Sequence, residues 1–188
     1  MSSSPSGSVN PSDAVDLSTL VSLFYPGDGG ELADFEPVSG EGMPDDFRRL
    51  LDHHSHMTIT VEAFHESPVD VRVIQSSERD GWYCREILLV SRQGGQVVQY
   101  GIVRLRPDRF HPDVWSEIRE GQVPLGQVLI NHNVFRQVEL VALWRAFPGP
   151  ALARWLSISE ADTTYGRTAR IFCDGEPAIE LLEIVAPV

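Results

Sequence analysis

Two long apolar runs, residues 82–90 and 97–105, stand on either side of Gln93-Gly94-Gly95. No other feature constrains the fold as much, because β-branched and aromatic runs joined by a glycine-rich loop form an antiparallel hairpin. Alternation along the first run puts Tyr83, Arg85, Ile87 and Leu89 on one face and Trp82, Cys84, Glu86, Leu88 and Val90 on the other. Arg85 therefore lies among apolar neighbours on a face expected to be buried. A guanidinium left there without a partner carries a large desolvation cost, so it should face an anion. That anion is either a protein carboxylate, closing a structural ion pair, or a ligand carboxylate, which makes the strand the floor of a binding site. The strand alone leaves both open.

The same alternation marks residues 69–73, 135–147, 166–173 and 178–185, the last two joined by an Asp174-Gly175 turn. Helical spacing appears after Asp16 (Leu17, Leu20, Val21, Phe24), over residues 44–52, over 112–120 up to Gly121, and from Pro124-Leu125-Gly126 to Ile130. Residues 57–65 are ambiguous: Thr58, Ile59, Thr60 and Val61 favour a strand, while Met57, Val61 and Phe64 share a helical face. Residues 31–42 read as an acidic loop and Pro148-Gly149-Pro150 as another. Strands in meander interrupted by helices predict an α+β single domain with a largely antiparallel sheet flanked by helices. Residues 1–16, rich in serine and glycine, are expected to form a disordered tail, leaving 17–188 as the domain.

Charge narrows the function. Against 27 acidic residues stand 15 cationic ones, for a net charge of −12, which argues against nucleic-acid and membrane-surface partners. All 15 cations are arginines. Without lysine there is no Schiff base, phosphate-loop lysine or lysine general base, and an anion must be held by the planar fork of arginine, which suits carboxylates. No apolar run approaches the ~20 residues that span a bilayer. The start of the chain has no secretory pattern, and the two cysteines, Cys84 and Cys173, fit a reducing compartment, so a cytoplasmic location is expected. His53, His54, His56 and His65 form the densest titratable cluster. With no cysteine near and only Asp52 or Glu62 to assist, they are read as exposed or capping residues, and no metal is assigned.

On the last strand Ile179, Leu181, Glu183 and Val185 share one face, while Ala178, Glu180, Leu182 and Ile184 share the other. One glutamate should be buried. Arg85 and Glu183 could be an ion pair, or opposite walls of one pocket.

Four segments in order carry a resemblance: Met57-Thr58; Tyr83-Cys84-Arg85-Glu86-Ile87-Leu88-Leu89; Pro124-Leu125-Gly126; and Tyr165-Gly166-Arg167 through Gly175-Glu176-Pro177 to a glutamate before Pro187. Together they resemble the chorismate lyases, or 4-hydroxybenzoate synthases. The resemblance implies a six-stranded antiparallel sheet with helices on one side, and an enclosed pocket. It implies a chorismate pyruvate-lyase in which Arg85 binds the ring carboxylate and Glu183 meets the ring oxygen, as the catalytic pair. Met57 and Leu125 would contact the substrate from flaps, and Arg136 and Arg167, with Arg104 as a further candidate, would hold its second carboxylate. Glu180 remains a rival to Glu183. No metal or organic cofactor is implied, the partner is a small-molecule substrate, and oligomeric state is left open. The alternatives are a non-catalytic module of the same fold that binds a small aromatic carboxylate, or an enzyme of this fold acting on another cyclic carboxylate.

Overall fold

The computed structural model describes residues 15–27 and 29–188, so the tail expected over residues 1–16 lies outside the described residues except for Val15 and Asp16. The strands are β1 (Ala33–Val38), β2 (Val69–Arg79), β3 (Trp82–Ser91), β4 (Val97–Leu105), β5 (Arg136–Pro148), β6 (Thr164–Cys173) and β7 (Glu176–Val185). The helices are α1 (Leu17–Ser22), α2 (Asp45–Leu51), α3 (Met57–His65), α4 (Pro112–Glu120), α5 (Leu125–Asn131) and α6 (Pro150–Leu156). The strands form one seven-stranded sheet in the order β1-β5-β6-β7-β4-β3-β2, antiparallel at every pairing. This is the expected α+β domain, with two meanders joined through the β4–β7 pair.

The sheet has one strand more than the resemblance implied, and helices cover both faces rather than one. Helices α1 and α6 pack against Leu88, Tyr100, Ile102, Leu182 and Ile184. Helices α2 to α5 cover the opposite face, against Ile87, Leu89, Val103 and Leu181 among others.

The extra strand comes from residues 31–42. Their acidity suggested a loop, yet Ala33–Val38 pairs with β5 from Ala33↔Pro148 to Val38↔Leu143. Its proline, Pro37, is tolerated because the strand lies at the edge of the sheet, where one ladder is missing. Residues Pro150–Leu156, which sequence reading left unassigned beyond the Pro148-Gly149-Pro150 loop, form α6. Gly149 precedes it where a side chain would run into the carbonyl oxygens of Gly30 and Glu31. The ambiguous segment becomes helix α3, burying Met57, Thr58 and Val61 on one face, so packing overrides the β-branched composition.

Strand β3 is buried on both sides. Opposite Arg85, the Glu86 carboxylate, 1% exposed, accepts hydrogen bonds from the Tyr25 phenol, from the Tyr100 phenol (2.7 Å) and from the Gln75 amide (2.8 Å). Among the described residues no cation lies within ion-pair distance of Glu86, and burial beside this carboxylate pushes the Tyr25 phenol up to about 12. The hydrogen bonds tie the segment after α1 to the centre of the sheet.

Candidate functional site

Arg85 rises from the floor of a small cavity, of about 40 Å³, between the sheet and the first turns of α3 and α5. Strands β3, β4, β6 and β7 supply the floor through Arg85, Ile87, Gln99, Gly101, Val103, Arg167, Leu181 and Glu183. The register makes this set inevitable: Ile87, Gly101, Glu183 and Arg167 lie in one row across four strands, and Arg85, Val103, Leu181 and Ala169 in the next. Gly101 has no side chain in the middle of the first row, and the Ile87 side chain closes over it, 3.3 Å from where a Cβ would lie. His56, Met57 and Thr58 from the start of α3, with Pro124, Leu125 and Gly126 from the start of α5, form the roof.

The cavity holds an uncompensated charge. Arg85 is 1% exposed, and its Nη1 donates to the Ile118 carbonyl at 3.1 Å. Ile118 lies in the last turn of α4, where the helix dipole presents partial negative charge. Among the described residues no carboxylate lies within ion-pair distance, and Nε has no hydrogen-bond partner. Burial lowers the pKa of the guanidinium, with the Tyr83 hydroxyl opposing the shift, yet arginine stays protonated. The Gln99 side-chain oxygen, on the same wall, is also buried without a partner. Two orphaned polar atoms facing one cavity are a rare arrangement in a folded interior.

Glu183 is not the counter-ion of Arg85. Its carboxylate accepts from Arg167 Nε at 2.7 Å. Arg167, 1% exposed, also donates through Nη1 to the His53 carbonyl and through Nη2 to the Ser55 carbonyl, both at 3.0 Å. This pair therefore fastens the loop between α2 and α3 onto the sheet, and every nitrogen of Arg167 is committed to the protein. Arg85 and Glu183 are walls of one cavity rather than partners. Glu180 faces the other side of β7, paired with Arg104 at 2.6 Å, so it does not line the cavity.

Five of the residues singled out in sequence (Arg85, Glu183, Met57, Leu125 and Arg167) thus surround one space, and Arg136 does not. It lines an adjoining open vestibule of about 660 Å³ with His54, His56, Asn133, Phe135, Gln137 and Val138. Its Nε donates to His56 Nε2 at 2.7 Å, and its Nη1 donates to the Val134 carbonyl at 3.0 Å. Sequence reading took His56 for an exposed or capping residue, whereas it is buried and its side chain makes no cap hydrogen bond; Gln99 and Gly101 it passed over. A glycine and a glutamine inside the apolar run of β4 were the available signal. Among the described residues no group of three or more histidine, cysteine or acidic side chains is arranged to hold a metal.

Burial, then the nearby Arg136 and Arg167, hold His56 down to about 4, so it is neutral and free to accept from Arg136. In an unfolded chain it would titrate near its ordinary 6.5, so between these values the unfolded state binds more protons. Its contribution to stability is therefore complete above pH 6.5 and is lost as pH falls toward 4. One such group adds at most about 1.4 kcal/mol per pH unit to the slope. Denaturant titrations at stepped pH should show stability falling over this window, and His56→Gln should flatten that fall; an unchanged slope in the variant would refute the assignment.

No family model matches the sequence and no curated protein matches it. Solved structures do share the fold. PhnF from Mycobacterium smegmatis superposes with a TM-score of 0.53 at 10% identity, over 70% of this chain and 64% of that chain. The effector domain of the same protein gives 0.53 at 12% identity, over 70% of this chain and 88% of that one. A GntR-family transcriptional regulator from Bacillus cereus gives 0.46 at 12%, over 63% and 92%. The chain thus spans less than two thirds of full-length PhnF. The expectation of a chorismate pyruvate-lyase is corrected: the fold is chorismate lyase-like, and it is shared with PhnF and the effector domain of that regulator. A fold of this kind carries unrelated activities, so short motifs that fix the sheet and its buried arginine do not transmit the chemistry. No helix among the described residues is long and apolar enough to cross a membrane.

Proposed function

We propose that the chain is a non-catalytic binding domain that holds a small aromatic carboxylate at Arg85 and passes its occupancy to a regulatory partner in the cytoplasm. One observation carries the reading: a fully buried guanidinium faces a cavity with no carboxylate among the described residues within ion-pair distance and with an unpartnered Nε. A ligand carboxylate supplies the missing charge and the missing acceptor together, through the bidentate geometry that arginine favours. The apolar walls, Ile87, Val103, Leu125 and Leu181, suit a hydrocarbon body, and a ring, which needs a cavity of about 150 Å³, enters only as the α3 and α5 roof moves outward from the about 40 Å³ space. The shared fold with an effector domain supports a sensing role. A net charge of −12 makes the domain itself a poor ligand for DNA, so any contact with nucleic acid falls to its partner.

Calorimetric titration with benzoate and 4-hydroxybenzoate tests the reading. One-site binding is expected, with a rise in melting temperature of about 5–10 °C at a hundredfold excess over Kd. Absence of both heat and thermal shift at millimolar concentrations of these acids would sink it.

A further inference from the structure

Arg85 and Arg170 are the two arginines whose Nε is buried without a hydrogen-bond partner among the described residues. Arg85 faces the inner cavity. Arg170, which follows Ala169 of the same row, faces the other side of the sheet. On that side α1 and α6 cover Ile102 and Leu182, and the next row outward carries Arg104, Glu180, Arg170 and Glu139 on β4, β7, β6 and β5. Such alternation of charge should close into a ladder, yet it stays open at Arg170. Glu180 turns to Arg104, with Oε2 2.6 Å from both Nε and Nη2. Arg170, its side chain 13% exposed, is left with the more exposed Glu139 at 4.0 Å, and it donates no hydrogen bond to any described residue. A mostly buried guanidinium in this state lacks an acceptor.

Arg170 lines a pocket of about 230 Å³ at the end of the sheet, together with Trp82, Arg104, Arg106, Arg109 and Glu180. Four guanidiniums therefore meet one carboxylate, in a chain whose net charge is −12. The Trp82 ring holds two of them in place: the guanidinium carbons of Arg104 and Arg106 lie 4.6 and 5.4 Å from its centroid. Asp108 and Glu176, which answer Arg106 and Arg109, are exposed. Ion pairs of that kind are weak, so an incoming anion displaces them at little cost.

We propose that this pocket is a second anion site, on the face of the sheet opposite Arg85, and that it takes a small polyvalent anion of the phosphate class. The inference does not depend on the role proposed for Arg85. The guanidiniums come from β4, from the turn that follows it and from β6, so they approach from several directions. A tetrahedral group with oxygens on every side meets such an arrangement better than a planar carboxylate, which one arginine fork satisfies. The excess of positive charge on the walls favours an anion of valence two or more. A nucleic-acid backbone carries the same phosphate groups, but a chain with a net charge of −12 repels a polymer of them.

Calorimetric titration of the whole chain with sodium pyrophosphate at low ionic strength tests the site. One-site binding is expected, and an excess of benzoate should not displace it. Arg170→Gln should weaken it by about tenfold or more, the loss of one charged hydrogen-bonding partner. Arg109→Gln alters a more exposed side chain on the rim, so it tests the same pocket should Arg170→Gln fail to fold; a loss of about threefold or more is expected. Arg154→Gln removes an equal charge from the exposed face of α6, outside the pocket, and should leave the affinity unchanged. The site is overturned if pyrophosphate gives no heat at millimolar concentration, if benzoate competes with it, or if Arg154→Gln weakens it as much as the pocket variants do. Unchanged affinity in the folded pocket variants overturns it equally. A short DNA duplex that binds more tightly than pyrophosphate, and loses that binding in Arg170→Gln, would overturn the assignment to a small anion.

Discussion

Arg85→Met should raise the stability of the ligand-free domain by about 1–3 kcal/mol while abolishing carboxylate binding. The two effects have one cause. Arg85 is 1% exposed and unpaired, so the free domain bears the desolvation of a cation that only a ligand relieves. Methionine fills much of the same volume with apolar atoms against Ile87, Val103 and Leu181. The lost hydrogen bond leaves no orphan, because the Ile118 carbonyl also accepts from the Gly121 amide at 3.2 Å. Denaturant unfolding with and without benzoate measures both consequences. The ligand-induced gain should vanish as the baseline rises. A baseline that instead drops by several kcal/mol would make Arg85 a structural residue and would refute its assignment as an anion receptor.

Arg167→Met should act in the opposite direction, lowering stability by about 3–5 kcal/mol. The substitution strands Glu183, 7% exposed, without its cation, and releases the His53 and Ser55 carbonyls that fix the α2–α3 loop. For a domain of this size the melting temperature should fall by about 10 °C. Adding Glu183→Gln removes the stranded charge and should recover part of the loss. The double-mutant cycle then gives the coupling of the pair. A loss below about 1 kcal/mol in the single variant would show that the pair is not the fastening the geometry describes. The contrast between the two arginines separates roles that look alike in sequence, since both lie on buried strand faces at the same cavity.

Much of the cavity floor was legible from alternation. A run with period two assigns Arg85 and Glu183 to faces without knowledge of any partner, and apolar neighbours declare those faces buried. The motifs at Met57 and Leu125 located the roof. The choice between ion pair and open site for Arg85 was not legible, because it depends on which carboxylate comes within a few ångströms across other strands. The activity was misread for a related reason. The residues shared with the lyases are those that build the sheet and bury an arginine in it, and such residues serve a binding domain equally well. Strand β1 was hidden by its acidic residues and Pro37, helix α6 by the Pro-Gly-Pro run that opens it, and each is held mainly by what it packs against.

The sequence by itself determined the sheet, its antiparallel sense, the arginine-only cation chemistry and the buried positions of Arg85 and Glu183. The tertiary structure alone decided who pairs with whom, and a single residue made the difference. The Asp174-Gly175 turn sets β6 against β7 with Cys173 opposite Glu176, a register that would bring Gly166 opposite Glu183. The bulge between Ile171 and Phe172 shifts the ladder by one and brings Arg167 opposite Glu183 instead. It falls where Phe172 faces Pro177, which has no N–H to give to the ladder. A one-residue slip exchanges every cross-strand partner. With Arg167 closed on Glu183, no carboxylate among the described residues lies within ion-pair distance of Arg85, and its charge is left facing the cavity.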